Sequence, residues 1–357
     1  MAEKSTRFIS LDLLRGIAAI GIVVYHTLHE NLPFLSPLYL CVDLFFVLSG
    51  FVLFPIYPNQ LDMQSVGNFI KKRALRFWPM SIAALLFSVI WIMQQSNTGN
   101  IALDKYGDDP AISFLGALLL LQIFSATATQ WIVPLWSLSA EWITNLIAIP
   151  FIKVRKDYLF VLMSVFGFAL MLLGLQMNSE QISKLGPVLG SIALGRAFTG
   201  FFIGVLIRIY FERLSQNKWV ANKWSSLLGI ALLYLAAHKY GYSSVLIASI
   251  LVVPSIIFLA TKNEQIANGA LRRIAVTTGA LSFGIYVWQM PLRDVLIGLF
   301  PKIGIDTSNG ITHGITDSLK LFVGTLVLSV IATLITQRVI EQPIQTRFGN
   351  SKNRLNK

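Results

Sequence analysis

The 357-residue chain carries a formal charge of +12, yet only 13% of its residues are charged and 55% are hydrophobic. A soluble domain carries about a quarter charged residues, so this composition, with a mean hydropathy of +0.66, excludes a water-soluble fold. The Lys and Arg excess also argues against a nucleic-acid binder, because it falls in short clusters between apolar runs, as in loops that obey the positive-inside rule.

A membrane span takes roughly 20 mostly apolar residues, and this criterion places ten, at about 8–28, 37–57, 77–95, 134–152, 158–177, 187–210, 225–238, 243–260, 275–298 and 318–337. An eleventh apolar run, 112–125, is short. If it does not cross, Lys71-Lys72-Arg73, Lys153/Arg155/Lys156, Arg208/Arg213/Lys218/Lys223 and Lys262/Arg272/Arg273 all face the cytoplasm. The opposite loops then hold only Lys105, Lys184, Lys239 and Lys302. If it does cross, the rule fails. The expected fold is therefore an all-α integral membrane protein with both termini cytoplasmic and a re-entrant or interfacial segment near 112–125. One membrane domain is expected over 1–345, followed by a short polar tail, 346–357. The N-terminal apolar stretch has no small-residue cleavage site after it and reads as a retained span. Cys41 is the only cysteine, so no intrachain disulfide forms.

Charged groups inside spans are costly and usually functional. The first span contains Asp12, Arg15 and His26. Eleven residues is close to three whole turns, so Arg15 and His26 project from one face, about 16 Å apart along the axis. Ala18, Ala19 and Ile22 between them suggest a low-profile path. Alternatively, Asp12 and Arg15 snorkel at the inner interface and His26 is an interfacial polar group. His29 follows His26 by three residues, but without a Cys cluster or HExxH spacing no metal site is expected. Asp43, in VDLFFVLSGF, is either catalytic or the buried partner of an arginine. Arg73 and Arg76 share a helix face and suit phosphate oxygens, or they are simple positive-inside flanks. Glu141, in PLWSLSAEW beside Ser139, needs a partner or a wet cavity at its depth. Tyr286 and Gln289, in SFGIYVWQMP, share a face and are either substrate contacts or interhelical hydrogen-bonding groups. Arg196 and Arg293-Asp294 are further in-span charges outside any interpretable motif.

The set LDLLRG…H, VDLFFVLSGF, RALRFWP, PLWSLSAEW and SFGIYVWQMP, closing with EQP, resembles the acyltransferase-3 family of bacterial membrane acyltransferases. The motifs come in that family's order and cover essentially the whole chain. The resemblance implies a multi-pass enzyme of the bacterial inner membrane that O-acylates sugars of surface glycans, with acetyl-CoA as the usual donor and no bound cofactor. It marks Arg15 and His26 as the first-helix pair, with His26 the catalytic candidate. Arg73 and Arg76 match the RxxR motif, Glu141 the acid of the WSLS segment and Asp43 the acid before FFVLSGF. Gln289 stands where the family usually has His, which puts a proton-transfer role there in doubt. The expected mechanism has Arg73, Arg76 and Arg15 hold acyl-CoA. His26 acts as general base or transient acyl carrier, with Glu141 or Asp43 orienting its imidazole. Expected partners are acyl-CoA, a carbohydrate or lipid-linked glycan acceptor and membrane lipids. The rival readings are a non-enzymatic transporter or flippase of a glycan or lipid with the same buried charges, and an acyltransferase with a succinyl or longer acyl donor or a non-sugar acceptor.

Overall fold

In a bilayer the backbone has no water to bond, so a spanning segment must be a helix or part of a closed barrel. Among the described residues the chain is helical and contains no strand. The computed structural model describes residues 7–58, 60–97, 103–177, 190–307 and 311–349. The main helices are α1 (Ile9–Leu28), α2 (Cys41–Leu53), α3 (Met63–Asn97), α4 (Pro110–Leu118), α5 (Leu135–Val154), α6 (Asp157–Met177), α7 (Gly190–Ile209), α8 (Lys223–Tyr240), α9 (Val245–Leu251), α10 (Val253–Thr261), α11 (Arg272–Leu299) and α12 (Ile315–Thr336).

Among the described residues, seven segments are long and apolar enough to cross a membrane: α1, Pro33–Ile56 around α2, α3, α5, α6, α7, and Ile315–Phe348 from the start of α12. The three other expected spans are also helical. The 225–238 stretch lies within the 18 residues of α8, and 275–298 within the 28 residues of α11. The 243–260 span is not one helix but two, α9 and α10. Pro254 explains the break, since its ring removes the bond to the Ile250 carbonyl and crowds it. Residues 187–189 of the expected 187–210 span, Lys184 and residues 350–357 of the tail lie outside the described residues.

The apolar run 112–125 begins in α4, whose Asp109 side chain caps the N–H groups of Ala111 (2.9 Å) and Ile112 (3.2 Å). Pro110 occupies the first turn, where its missing N–H costs nothing. Nine residues make about 13 Å of helix, less than half the hydrocarbon thickness. The helix then stops at Leu120, which takes a left-handed conformation at φ 55°. Its carbonyl accepts a bond from Ser139 Oγ at 2.6 Å.

α3 runs 35 residues, well beyond the expected 77–95. Asp62 starts it by accepting the Ser65 N–H at 2.8 Å, and hydrogen bonds from Ser65 hold this exposed carboxyl below its ordinary pKa. Around it, α1 packs on α11 and α12, α2 on α7, and α6 on α7. Helices in lipid approach through small residues. A Cβ on Gly204 would stand 2.0 Å from the Val47 carbonyl oxygen, and one on Gly50 1.9 Å from that of Phe201. Gly204→Leu is therefore expected to force α2 from α7 and cost at least about 1–3 kcal/mol. Gly67→Ala on α3 meets nothing within 4 Å and should gain up to about 1 kcal/mol. Thermal unfolding of the two variants in detergent compares them directly.

Candidate active site

Five helices converge on a cavity of about 740 Å³, its open mouth included. α1 supplies Arg15, α2 Ser49, α3 Arg73 and Arg76, α5 Ser137 and Glu141, and α11 Ser282 and Tyr286. Spacings of three and four residues put each same-helix pair on one face. Phe45, Phe77 and Phe283 form much of the apolar wall.

Glu141 is the only carboxylate among the described lining residues, set against three arginines. Its Oε1 accepts from Arg73 Nη2 at 2.8 Å and from Ser49 Oγ at 2.7 Å. Arg73 lies over the Phe77 ring at 4.6 Å, and its Nε is buried without a hydrogen-bond partner. Arg76 lies over Phe283 at 4.8 Å and stands 3.5 Å from Glu341 Oε1. Glu341 closes a π-helical turn, Gln337–Glu341, that follows α12. The turn admits one extra residue into the helix, a device frequent at functional sites. Glu341 is buried, its Oε1 bonds Gln345 at 2.9 Å, and its Oε2 has no partner. Arg15 stands 3.7 Å from Asp12. The cavity thus gathers three guanidinium groups, each with a carboxylate of its own nearby, and their planar donor forks suit phosphate oxygens.

Of the expected site residues, the structure brings together Arg15, Arg73, Arg76, Glu141 and Tyr286. The Tyr286 hydroxyl donates to the Pro134 carbonyl (3.1 Å) and lies 2.6 Å from Ser137 Oγ. Gln289 is buried behind it, donating to the Tyr286 carbonyl at 3.2 Å, with Oε1 unpartnered. It does not line the cavity. Neither does Ser139, whose hydroxyl bonds the Leu120 carbonyl and accepts the Ile123 N–H at 3.3 Å. Ser139→Ala should cost about 1–3 kcal/mol of stability by orphaning those groups. Substrate KM should stay unchanged; a raised KM at unchanged stability would restore a substrate role.

Asp43 is the buried partner of an arginine. Arg196 forks onto both its oxygens, at 3.0 and 2.7 Å, and both side chains are 2–3% exposed. The Arg196 guanidinium also lies 4.9 Å from the Trp136 ring. His26 is half-buried near the far end of α1, edge-on to Tyr25, and its carbonyl accepts from Arg293 Nε at 2.9 Å. Neither Asp43 nor Glu141 is bonded to its ring, so the expected orienting roles are corrected: each acid has its own arginine. The expected low-profile path between Arg15 and His26 is also corrected. Ala18, Ala19 and Ile22 are at most 2% exposed and packed into the bundle, so the cavity stops short of the imidazole. Glu341 escaped the sequence reading and Ser49 reads there only as a small residue that permits close helix approach, although both sit in quoted motifs, EQP and FFVLSGF.

An arginine-lined cavity inside an all-helical, multi-pass membrane protein is what the fold and site define. Residues 8–334 match the family model described as an acyltransferase domain, and the chain belongs to that acyltransferase-3 family of membrane enzymes. It is 35% identical over 153 residues to "Protein 2 in picA locus" of Rhizobium radiobacter, covering 39% of this chain and 79% of that protein. It is 34% identical over 101 residues to "Putative O-acetyltransferase SACOL0978" of Staphylococcus aureus (strain COL), and 30% over 87 residues to "Putative peptidoglycan O-acetyltransferase YrhL" of Bacillus subtilis (strain 168). Those two matches cover 28% and 23% of this chain but only 15% and 13% of the relatives' own lengths. No solved structure matches the chain.

Proposed function

We propose that this acyltransferase moves an acyl group, acetyl by preference, from cytoplasmic acyl-CoA to a hydroxyl of a cell-surface carbohydrate or its lipid-linked precursor. The observation that carries the reading is the cavity in which Arg15, Arg73 and Arg76 face one carboxylate. The planar donor forks of three guanidinium groups on one cavity, two of them 3.5 Å or more from their acids, suit the oxygens of a donor pyrophosphate, and the aromatic walls suit the acyl arm. The glycan acceptor is supported by the name of the Bacillus relative. In this reading the chain crosses the bacterial inner membrane ten times with both termini cytoplasmic.

Arg73 and Arg76 hold the pyrophosphate, kept in place by Glu141 and Glu341 respectively, and Arg15 closes the cavity on the α1 side. His26 takes the proton of the acceptor hydroxyl. The freed oxygen attacks the thioester carbonyl, the C–S bond breaks, and the coenzyme A thiolate leaves and collects the proton. If His26 instead carries the acyl group, its nitrogen makes the first attack and the acceptor oxygen the second. Either route requires the side chains around Ile22 to move when the donor binds, because they separate the cavity from the imidazole.

The test is transfer from labelled acetyl-CoA by the purified protein in nanodiscs, against a panel of glycan acceptors. Label on a glycan hydroxyl with stoichiometric thiol release is expected. Arg73→Gln and Arg76→Gln should each raise the donor KM by about tenfold or more, the scale of a charge-assisted hydrogen bond. Absence of both coenzyme A binding and transfer would overturn the proposal.

A further inference from the structure

The winding of the chain changes where α12 ends. Over Gln337–Glu341 it continues as a π-helical turn, in which the Gln342 N–H reaches back five residues to the Gln337 carbonyl. Pro343 gives the physical cause. Its ring offers no N–H to the Val339 carbonyl and crowds that group, so the α-helical ladder cannot run through this point. The turn is pinned on one side by Gln337, whose Nε2 donates to the Ala280 carbonyl of α11 at 2.9 Å. On the other side it sets Glu341 against Arg76 of α3.

The two arginines of α3 meet their acids in different ways. Arg73 gives Glu141 a hydrogen bond of 2.8 Å. Arg76 makes no hydrogen bond among the described residues. Its acid stands 3.5 Å away, at the edge of hydrogen-bonding range, and the facing oxygen already accepts from Gln345 at 2.9 Å. The Phe283 ring lies under the Arg76 guanidinium at 4.8 Å, and 31% of the side chain stays exposed. A carboxylate bonded directly to the guanidinium would occupy its donor fork. One held at this range orients the fork by charge and leaves its N–H groups for an incoming phosphate. A fork oriented in advance also loses less freedom when it binds.

We infer that the π-helical turn is a positioning element for the donor. Pro343 opens the turn, the turn presents Glu341 to Arg76, and Gln345 keeps the carboxylate from closing on the guanidinium. Glu341 is then a positioning residue that acts on the donor's pyrophosphate through Arg76 and touches no reacting atom. The inference rests on acyl-CoA being the donor.

The test is steady-state transfer from acetyl-CoA by the full chain in nanodiscs. Glu341→Gln keeps the shape of the side chain and should raise the donor KM about fivefold or more, with kcat held within about twofold. In an Arg76→Gln background the same change should move KM by less than about twofold, because a residue that acts through Arg76 has nothing left to act on. Pro343→Ala is the second variant. Pro343 is exposed, so its replacement spares the packing and restores the missing N–H. This variant should melt no lower than the parent while its donor KM rises about fivefold or more. Equal KM effects of Glu341→Gln with and without Arg76 would overturn the inference. So would a Pro343→Ala protein with the parent's KM or a lower melting temperature. If the parent protein neither binds coenzyme A nor uses acetyl-CoA, the acyl-CoA reading itself fails, which is a separate result.

Discussion

Arg196→Met is expected to leave little folded protein in the membrane. The substitution strips the partner from Asp43, a carboxylate with almost no exposure, and leaves its charge unpaired between α2 and α7. Breaking such a pair from one side costs about 3–5 kcal/mol, a large share of the roughly 5–15 kcal/mol that holds a typical protein folded. Asp43→Leu should also be damaging, because it removes the carboxylate onto which the buried Arg196 guanidinium forks. The double variant Asp43→Leu/Arg196→Met should recover most of the stability, since apolar replacement of both ends removes the desolvation cost along with the attraction. Measured by fluorescence-detected gel filtration and transfer assay together, this triplet also separates two roles. A double variant that folds and transfers acyl groups makes Asp43 structural; one that folds but is inactive returns Asp43 to the chemistry.

His26→Ala should behave in the opposite way, folding normally and losing transfer. Its ring is half-buried at the far end of α1 and lies edge-on to Tyr25 of the same helix. Loss of a general base typically lowers the rate by about 10²–10⁴-fold. Donor binding should be unaffected, because Arg15 stands about 16 Å away along the helix. Single-turnover transfer and equilibrium binding of coenzyme A, measured on the same preparation, give the two readouts. Full transfer by His26→Ala would move the chemistry to Glu141, the carboxylate that the cavity does contain. Loss of donor binding instead would make His26 part of the packing and not of the reaction.

The individual residues of the site were legible, and their partners were not. Arg15, Arg73, Arg76 and Glu141 stand out because a charge at span depth needs a reason. The sequence does not say which acid meets which base. Asp43 finds Arg196 153 positions away, and Arg73 finds Glu141 68 positions away, through helix packing that no local pattern encodes. Small residues misled in a specific way. Ala18 and Ala19 beside Arg15 suggested a passage, but in lipid small side chains let helices close on one another. Gly16 against Thr278 and Gly279 against Asp12 do so within the same contact, so α1 and α11 meet tightly there. Hydropathy located the spans and overlooked what continues them. The first turns of α3, through Lys71 and Lys72, are too polar to score as membrane, yet they are helical. Pro254 was visible in the sequence, and its effect on the 243–260 stretch follows from the chemistry of its ring.

The length of α3 also determines how the protein sits in its lipid. Thirty-five residues make a rod of about 52 Å, against roughly 30 Å of hydrocarbon. With Phe77 at the boundary, residues 63–76 project about 20 Å beyond it. Lys71 and Lys72 are exposed there, at the level where lipid phosphates would hold them. Arg73 and Arg76 then lie at a depth gauged by the headgroups, so that under the proposed function a highly charged nucleotide would not have to enter hydrocarbon for its acyl arm to do so. A thicker bilayer would sink this arginine pair below the phosphates and a thinner one would lift it clear. On the proposed acyl-CoA reading, hydrophobic mismatch would thus govern, beside the protein's own residues, how readily the donor finds its seat.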